Sequence, residues 1–168
     1  SWPRNVGQIP IYHSMKNTGR PAPTHTFEKF KSNYLDSELS PLFPFGYGLS
    51  YSTFEYSAIA VDKKKIAQDE AVNISFTVKN TGDHDGEEVV QLYLKDEVRS
   101  ITPPKRQLKG FKKIFLKKGE SQRVTISLSA NDLKFYNSEL KFVAEPGKFI
   151  VFVGGNSNAE MSTEFELE

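Results

Sequence analysis

The chain has 168 residues, no cysteine, and 22 Lys and Arg against 21 Asp and Glu, for a formal net charge of +1. At this length folding hides about 70% of the surface the unfolded chain exposes, enough for one sound core with an appendage. The interleaved charges give no single-sign field, which argues against nucleic acid, an anionic membrane or an acidic substrate as partner, and the missing cysteines exclude disulfides, thiolate metal sites and a cysteine nucleophile.

From Ser1 to about Tyr12, the residues Val6, Ile9, Ile11 and Tyr12 predict a short extended piece, interrupted at Pro10. The chain opens Ser1-Trp2-Pro3 without an initiator methionine, a basic n-region or an apolar h-region, so Ser1 is expected to be a boundary within a longer protein. No apolar run approaches the roughly 20 residues that a helical membrane span needs. From His13 to Ser40 the composition is polar, with a turn cluster at Asn17-Thr18-Gly19-Arg20-Pro21-Ala22-Pro23. This predicts a long irregular arm laid across a surface, anchored by Phe27, Phe30, Tyr34 and Leu35, with a short helix over Phe27 to Phe30.

Pro41-Leu42-Phe43-Pro44-Phe45-Gly46-Tyr47-Gly48-Leu49-Ser50-Tyr51 follows. The prolines fix φ and remove donors while the glycines permit turns closed to other residues, so neither a regular helix nor a central strand runs through it. The aromatics give this sharp corner apolar rings to bury, which a free linker lacks. We divide the chain here, into an arm over 1–50 and a β body over 51–168.

Beyond the corner, short strands separated by turn signals about every ten residues predict an all-β sandwich. Strands are expected over Phe54 to Val61, around Val72, Ile74, Phe76 and Val78, and over Glu88 to Lys95. Lys63-Lys64-Lys65 reads as a solvated turn, and Asn80-Thr81-Gly82-Asp83-His84-Asp85-Gly86 as a turn of Gly and Asx residues. Pro103-Pro104 breaks the sheet. It resumes over Gln107 to Leu116 in two pieces around Gly110, and then with Val124, Ile126 and Leu128 pointing inward. Ser129 carries capping chemistry for one helical turn, after which Phe135 and Tyr136 would close one end of the sandwich. Strands over Leu140 to Val143, Lys148 to Val153 and Met161 to Leu167 complete the sheets, with a hairpin at Gly154-Gly155-Asn156-Ser157-Asn158.

Candidate chemistry is sparse. Acid/base hydrolysis by carboxylates needs two carboxyl groups converging on one bond. Glu87-Glu88 and Asp96-Glu97 are adjacent in strands, where neighbouring side chains point to opposite faces, so both pairs read as solvated strand ends. His13, His25 and His84 lie in separate segments, and Asp83-His84-Asp85 is better read as a turn than as a metal site. Lys63-Lys64-Lys65 and Lys112-Lys113 lack interleaved aromatics and read as solvated faces. Asn73-Ile74-Ser75 matches the glycan acceptor pattern but falls within a strand, so no glycan is expected. Phe43, Phe45, Tyr47, Tyr51, Phe54 and Tyr56 form either cement between arm and sandwich or a platform for sugar rings; burial favours cement.

Phe45-Gly46-Tyr47-Gly48-Leu49-Ser50-Tyr51 with Thr53-Phe54 resembles the junction between the α/β domain of family 3 glycoside hydrolases and their C-terminal fibronectin type III-like domain. Upstream, Pro3-Arg4-Asn5-Val6-Gly7-Gln8-Ile9-Pro10-Ile11-Tyr12 and Asn17-Thr18-Gly19-Arg20-Pro21 are similar to the end of that α/β domain and its tail. Downstream, Asn80-Thr81-Gly82 with Gly86, Gln107-Leu108-Lys109-Gly110-Phe111 and Glu145-Pro146-Gly147 resemble the module in order and spacing.

The resemblance, nearest to bacterial periplasmic β-glucosidases, implies a fibronectin type III-like (immunoglobulin-like) β-sandwich behind the tail of an α/β domain. It implies a parent that removes terminal β-linked glucose with retention, located in the periplasm or secreted. The family's nucleophile and acid/base residue lie upstream of the matched region, so the resemblance implies no catalytic, substrate-binding or metal residue here and no cofactor. The expected partners are the parent's own catalytic domains, with β-glucosides or oligosaccharides as the parent's substrates. A loop such as Asp96 to Lys105 could reach the parent's active site. A carbohydrate-binding module and a protein-interaction or dimerisation module remain as alternatives.

Overall fold

The computed structural model of the protein describes residues 1–16, 34 and 36–168. The turn cluster and helix expected between Asn17 and Phe30, together with Arg20, His25 and Leu35, lie outside the described residues.

Alternation builds the body. In β3 (Ala71–Asn80) the side chains of Val72, Ile74, Phe76 and Val78 are all fully buried, because every second residue faces the facing sheet. This strand lies between β1 (Phe54–Val61) and β6 (Ser121–Ser129) in a three-stranded antiparallel sheet. The second sheet runs β2 (Lys65–Ile66), β10 (Met161–Leu167), β9 (Gly147–Gly154), β4 (Gly86–Asp96), β5 (Gln107–Leu116). Val90, Leu92 and Leu94 of β4 meet the β3 residues across one continuous core, joined by Phe149, Val151 and Phe165. The result is the expected nearly all-β sandwich.

Local departures from the expected elements have identifiable causes. Lys65 belongs to a two-residue strand parallel to β10; the lysine run is therefore partly sheet, although its charges stay in water in ion pairs with Glu70 and Glu168. Gly110 does not split a strand. β5 is continuous and bulges between the pairs Leu92–Gly110 and Tyr93–Leu108, leaving Lys109 as the extra residue. A Cβ on Gly110 would fall 2.8 Å from Ile126 Cγ2, so the glycine lets β5 close onto β6. A second bulge interrupts β1 between Ser57 and Ala60, with Ala58 at φ 52°.

The expected strand over Leu140 to Val143 shrinks to β8 (Phe142–Val143), which pairs with β7 (Phe135–Tyr136) in a two-stranded ribbon. Leu140 is instead an exposed turn residue at φ 59°. Ser129 does precede one helical turn, α1 (Ala130–Leu133), but its hydroxyl donates to the Asp132 carboxylate, which also accepts from the Ser129 amide. The first residues are not a strand. Trp2 makes an isolated bridge to Phe43, and Gln8, the one buried side chain before Leu39 among the described residues, donates to the carbonyls of Glu38, Leu39 and Ser40.

Candidate functional site

The corner sits on the outer face of the larger sheet, opposite the core. Along β4, Val90, Leu92 and Leu94 point inward, which turns Val89, Gln91 and Tyr93 outward. Gln91 and Tyr93 are nevertheless buried, because the corner and the arm lie over them. The Gln91 amide donates to the carbonyls of Gly46 (2.9 Å) and Gly155 (2.6 Å), and its Oε1 accepts from the Tyr93 hydroxyl at 2.5 Å. One side chain thus ties corner, strand and hairpin together. Gly46 has φ 78°, and a Cβ there would lie 2.1 Å from Gln91 Oε1, so both the turn and the close approach require glycine.

Further contacts fix the same seam. Ser157 N donates to the Phe45 carbonyl at 2.9 Å, and Arg106, stacked 3.7 Å over Phe152, donates to the carbonyls of Ser157 and Ala159. His13 stacks on Phe45 at 4.4 Å and meets Tyr93 edge-on at 5.5 Å. Burial lowers the pKa of His13, assisted by the N-terminal ammonium and Arg106, which favours the neutral ring in its slot. Burial also pushes the Tyr93 phenol up to about 12.

Cover stops one residue pair along the sheet. Val89 is partly exposed, and the rings diagonal to it on β5, Phe111 and Phe115, stand at 70% and 55% exposure. Between them and the corner lies a groove of about 670 Å³, walled by Phe45, Tyr47 and Leu49 on one side and by Val89, Leu108 and Phe111 on the other. The cement reading of the aromatics is therefore only partly right. Phe54 and Tyr56 pack against the core and Phe45 against His13, whereas Tyr47 is exposed and Tyr51 stands 94% in water.

Two polar groups of this groove are already engaged. Glu88 accepts from the Tyr56 hydroxyl at 2.6 Å, and Gln91 spends both its amide hydrogens and its oxygen as described. Ser50, Glu87 and Asn156 also line the groove, so its walls mix apolar rings with polar side chains.

The acidic pairs diverge as their strand positions require. Glu87 is exposed and ion-paired with Lys113, while Glu88 turns to Tyr56. Glu97 is exposed beside Lys95. The reading of both pairs as wholly solvated is corrected at two positions. Glu88 is half-buried and its pKa raised by desolvation, which outweighs the Tyr56 hydrogen bond. Asp96 is buried beside Arg99, whose guanidinium lies 4.4 Å over the Phe135 ring, and burial raises its pKa too. Arg99 Nε lies 3.8 Å from Asp96 Oδ2, and Glu145 accepts from the Ser100 amide at 2.8 Å, so Asp96 faces a cation rather than a second acid.

His84 lies in an exposed turn, where its carbonyl accepts from the buried Asn80 side chain at 2.8 Å. Asn73, within β3, donates to the Asp62 carboxylate just beyond β1. Among the described residues no cluster of three potential metal ligands occurs, and no helix is long and apolar enough to cross a membrane. Gln91 and Tyr93 were the seam residues least visible in the sequence. Their signal was a lone amide inside an otherwise apolar run, Val89-Val90-Gln91-Leu92-Tyr93-Leu94.

Residues 88–157 match the fibronectin type III-like domain. Across 99% of its length the chain is 46% identical to a periplasmic β-glucosidase of Salmonella typhimurium, and 41% identical to a putative β-xylosidase of Formosa agariphila. It covers 22% and 21% of those proteins, so it spans about a fifth of the relatives it matches. Its structure superposes on a β-glucosidase of Listeria innocua, crystallised in complex with glucose, with a TM-score of 0.88 and 40% identity over 98% of this chain and 23% of that one.

Proposed function

We infer that this chain, which carries the fibronectin type III-like domain of a family 3 glycoside hydrolase, is the C-terminal accessory portion of a β-glucosidase. The observation that carries this reading is the match of nearly the whole chain to about a fifth of such enzymes, together with acidic side chains that turn away from one another. The parent enzyme removes terminal β-linked glucose from oligosaccharides or glucosides with retention, using carboxyl groups supplied upstream. This portion takes no part in the chemistry; it packs against the catalytic domains and stabilises them. Residues 1–50 are the tail of the preceding α/β domain and its linker, and 51–168 the module. A periplasmic or secreted location fits the Salmonella relative.

Hydrolysis of an aryl β-glucoside tests the reading. The full-length protein releases nitrophenol, and the 168-residue chain alone stays at the buffer background. Release by the isolated chain would contradict it.

A further inference from the structure

We propose that the paired rings of Tyr136 and Phe142, on the outer face of the β7–β8 ribbon, form a stacking site for a neutral β-linked glucan. The inference rests on the reading of the parent as an enzyme of β-linked glucose and adds a place where such a polymer is held.

In the ribbon Phe135 and Val143 turn inward, so their neighbours Tyr136 and Phe142 turn outward. The two ring centroids lie 4.9 Å apart with planes tilted by 40°, yet Tyr136 keeps 62% and Phe142 51% of its surface in water. The ribbon is fixed from behind and at its tip. Arg99 lies 4.4 Å over the Phe135 ring on the inner side. Asn137 closes the connecting turn: its amide donates to the Lys141 carbonyl, and its Oδ1 accepts from the amides of Glu139 and Lys141, each at 3.0 Å. The rings are therefore positioned before a ligand arrives, which lowers the cost of binding. They are also remote from the corner. The ribbon leads into β9 at Gly147, whereas the corner is attached beyond the other end of that strand, at Gly155 and Ser157.

Size and charge select the occupant. Together with Leu140, 81% exposed on the turn, the rings offer on the order of 400 Å² of apolar surface, about half of the ~800 Å² that each partner buries in a stable protein contact. A small, flat ligand suits that area better than a folded surface. The charges on the turn, Glu139 and Lys141, neutralise each other at 2.6 Å, so the local field selects neither an acidic nor a basic partner. A β-linked glucose ring is uncharged, carries its C–H bonds on two apolar faces and its hydroxyls around the rim. Its faces stack on aromatic rings, whose negative π-face attracts the C–H hydrogens. Its rim finds exposed Ser138, Glu139 and Lys141 beside the rings, a hydroxyl, an acceptor and a donor. Cross-strand stacking steadies the ribbon as well, and the test separates that role from binding.

The test is electrophoresis of the full-length protein through native gels containing laminarin or hydroxyethylcellulose, compared with gels lacking polysaccharide. Wild type should be retarded in at least one of them. Tyr136→Ala and Phe142→Ala should each weaken the retention about tenfold through loss of a stacking ring. Tyr136→Phe, which keeps the ring, and Phe111→Ala, which removes an exposed ring elsewhere, should stay within about twofold of wild type. A pair that only steadies the ribbon would lower the melting temperature of the alanine variants and leave their retention unchanged, which would overturn the proposal. Wild type that is retarded in neither gel would overturn it too, as would retention that Phe111→Ala abolishes. So would sedimentation of the wild type as a dimer that Phe142→Ala converts to monomer, because the rings then hold a second copy. Wild-type activity on an aryl β-glucoside separates the two levels. An active enzyme that is not retarded loses only this site, whereas an inactive full-length protein removes the reading of the parent and this inference with it.

Discussion

The interior of the sandwich and the corner are both rich in apolar side chains, yet they spend them differently. In β3 four successive inward residues lose all contact with water. In the corner, Leu49 and Tyr51 lose almost none, and the segment is held by a handful of polar bonds centred on Gln91. The body is thus stabilised by burial within the chain, whereas the corner is positioned by hydrogen bonds and keeps its apolar surface outward.

The largest effect that tests the contrast falls in the body. Phe76 is fully buried and stacks with Tyr56 at 6.2 Å, so Phe76→Ala should cost about 3–5 kcal/mol in urea unfolding. Next is Asn80, buried at the end of β3. Its side chain donates to the carbonyls of His84 and Leu116 and accepts from Ser52 and the Gly82 amide. Asn80→Ala leaves these groups without partners and should cost roughly 2–3 kcal/mol.

Gln91→Ala addresses the corner itself. Losing the bonds to Gly46 and Gly155 should cost about 1–2 kcal/mol, and the loss should appear as faster amide exchange around Gly46 while the β3 amides stay protected. If β3 exchange rises equally, corner and body are one cooperative unit and the contrast fails.

The smallest expected effect is a change of slope. Burial raises the pKa of Glu88 in the folded state. A carboxyl shifted upward contributes stability that is present below its unfolded pKa and lost as pH rises through its folded pKa. Glu88→Gln keeps an acceptor for Tyr56 and removes the titration. The melting temperature of the variant relative to wild type should therefore increase between pH 4 and pH 7, and a difference that is flat or falls would contradict the assignment.

Much of the body was legible because strand alternation is a local signal. Phe54 to Val61 and Met161 to Leu167 appear with the expected bounds, and the inward sets of β3 and β4 follow from period two. What the sequence concealed depends on distant partners. Tyr56 and Glu88 lie 32 residues apart, and Gln91 and Gly155 are separated by 64. An acidic residue at a strand end defaults to water, so burial of Asp96 against Arg99 and Phe135 required the tertiary packing. Leu140 misled for a different reason. Its apolar side chain suggests a strand, but a hydrogen bond from its amide to the Asn137 carbonyl closes a turn at positive φ. The corner was legible as a bend from its prolines and glycines, whereas the exposure of its rings depends on where the sheet ends its cover.

The most direct measurement of the central claim is hydrogen exchange of residues 45–51 and 111–115 in the full-length protein, compared with the same residues in the 168-residue chain. Covering of the corner by upstream domains predicts marked slowing at both segments in the longer protein, with the β3 amides unchanged. Identical exchange in the two forms would mean that nothing seats on these rings, and would contradict the claim.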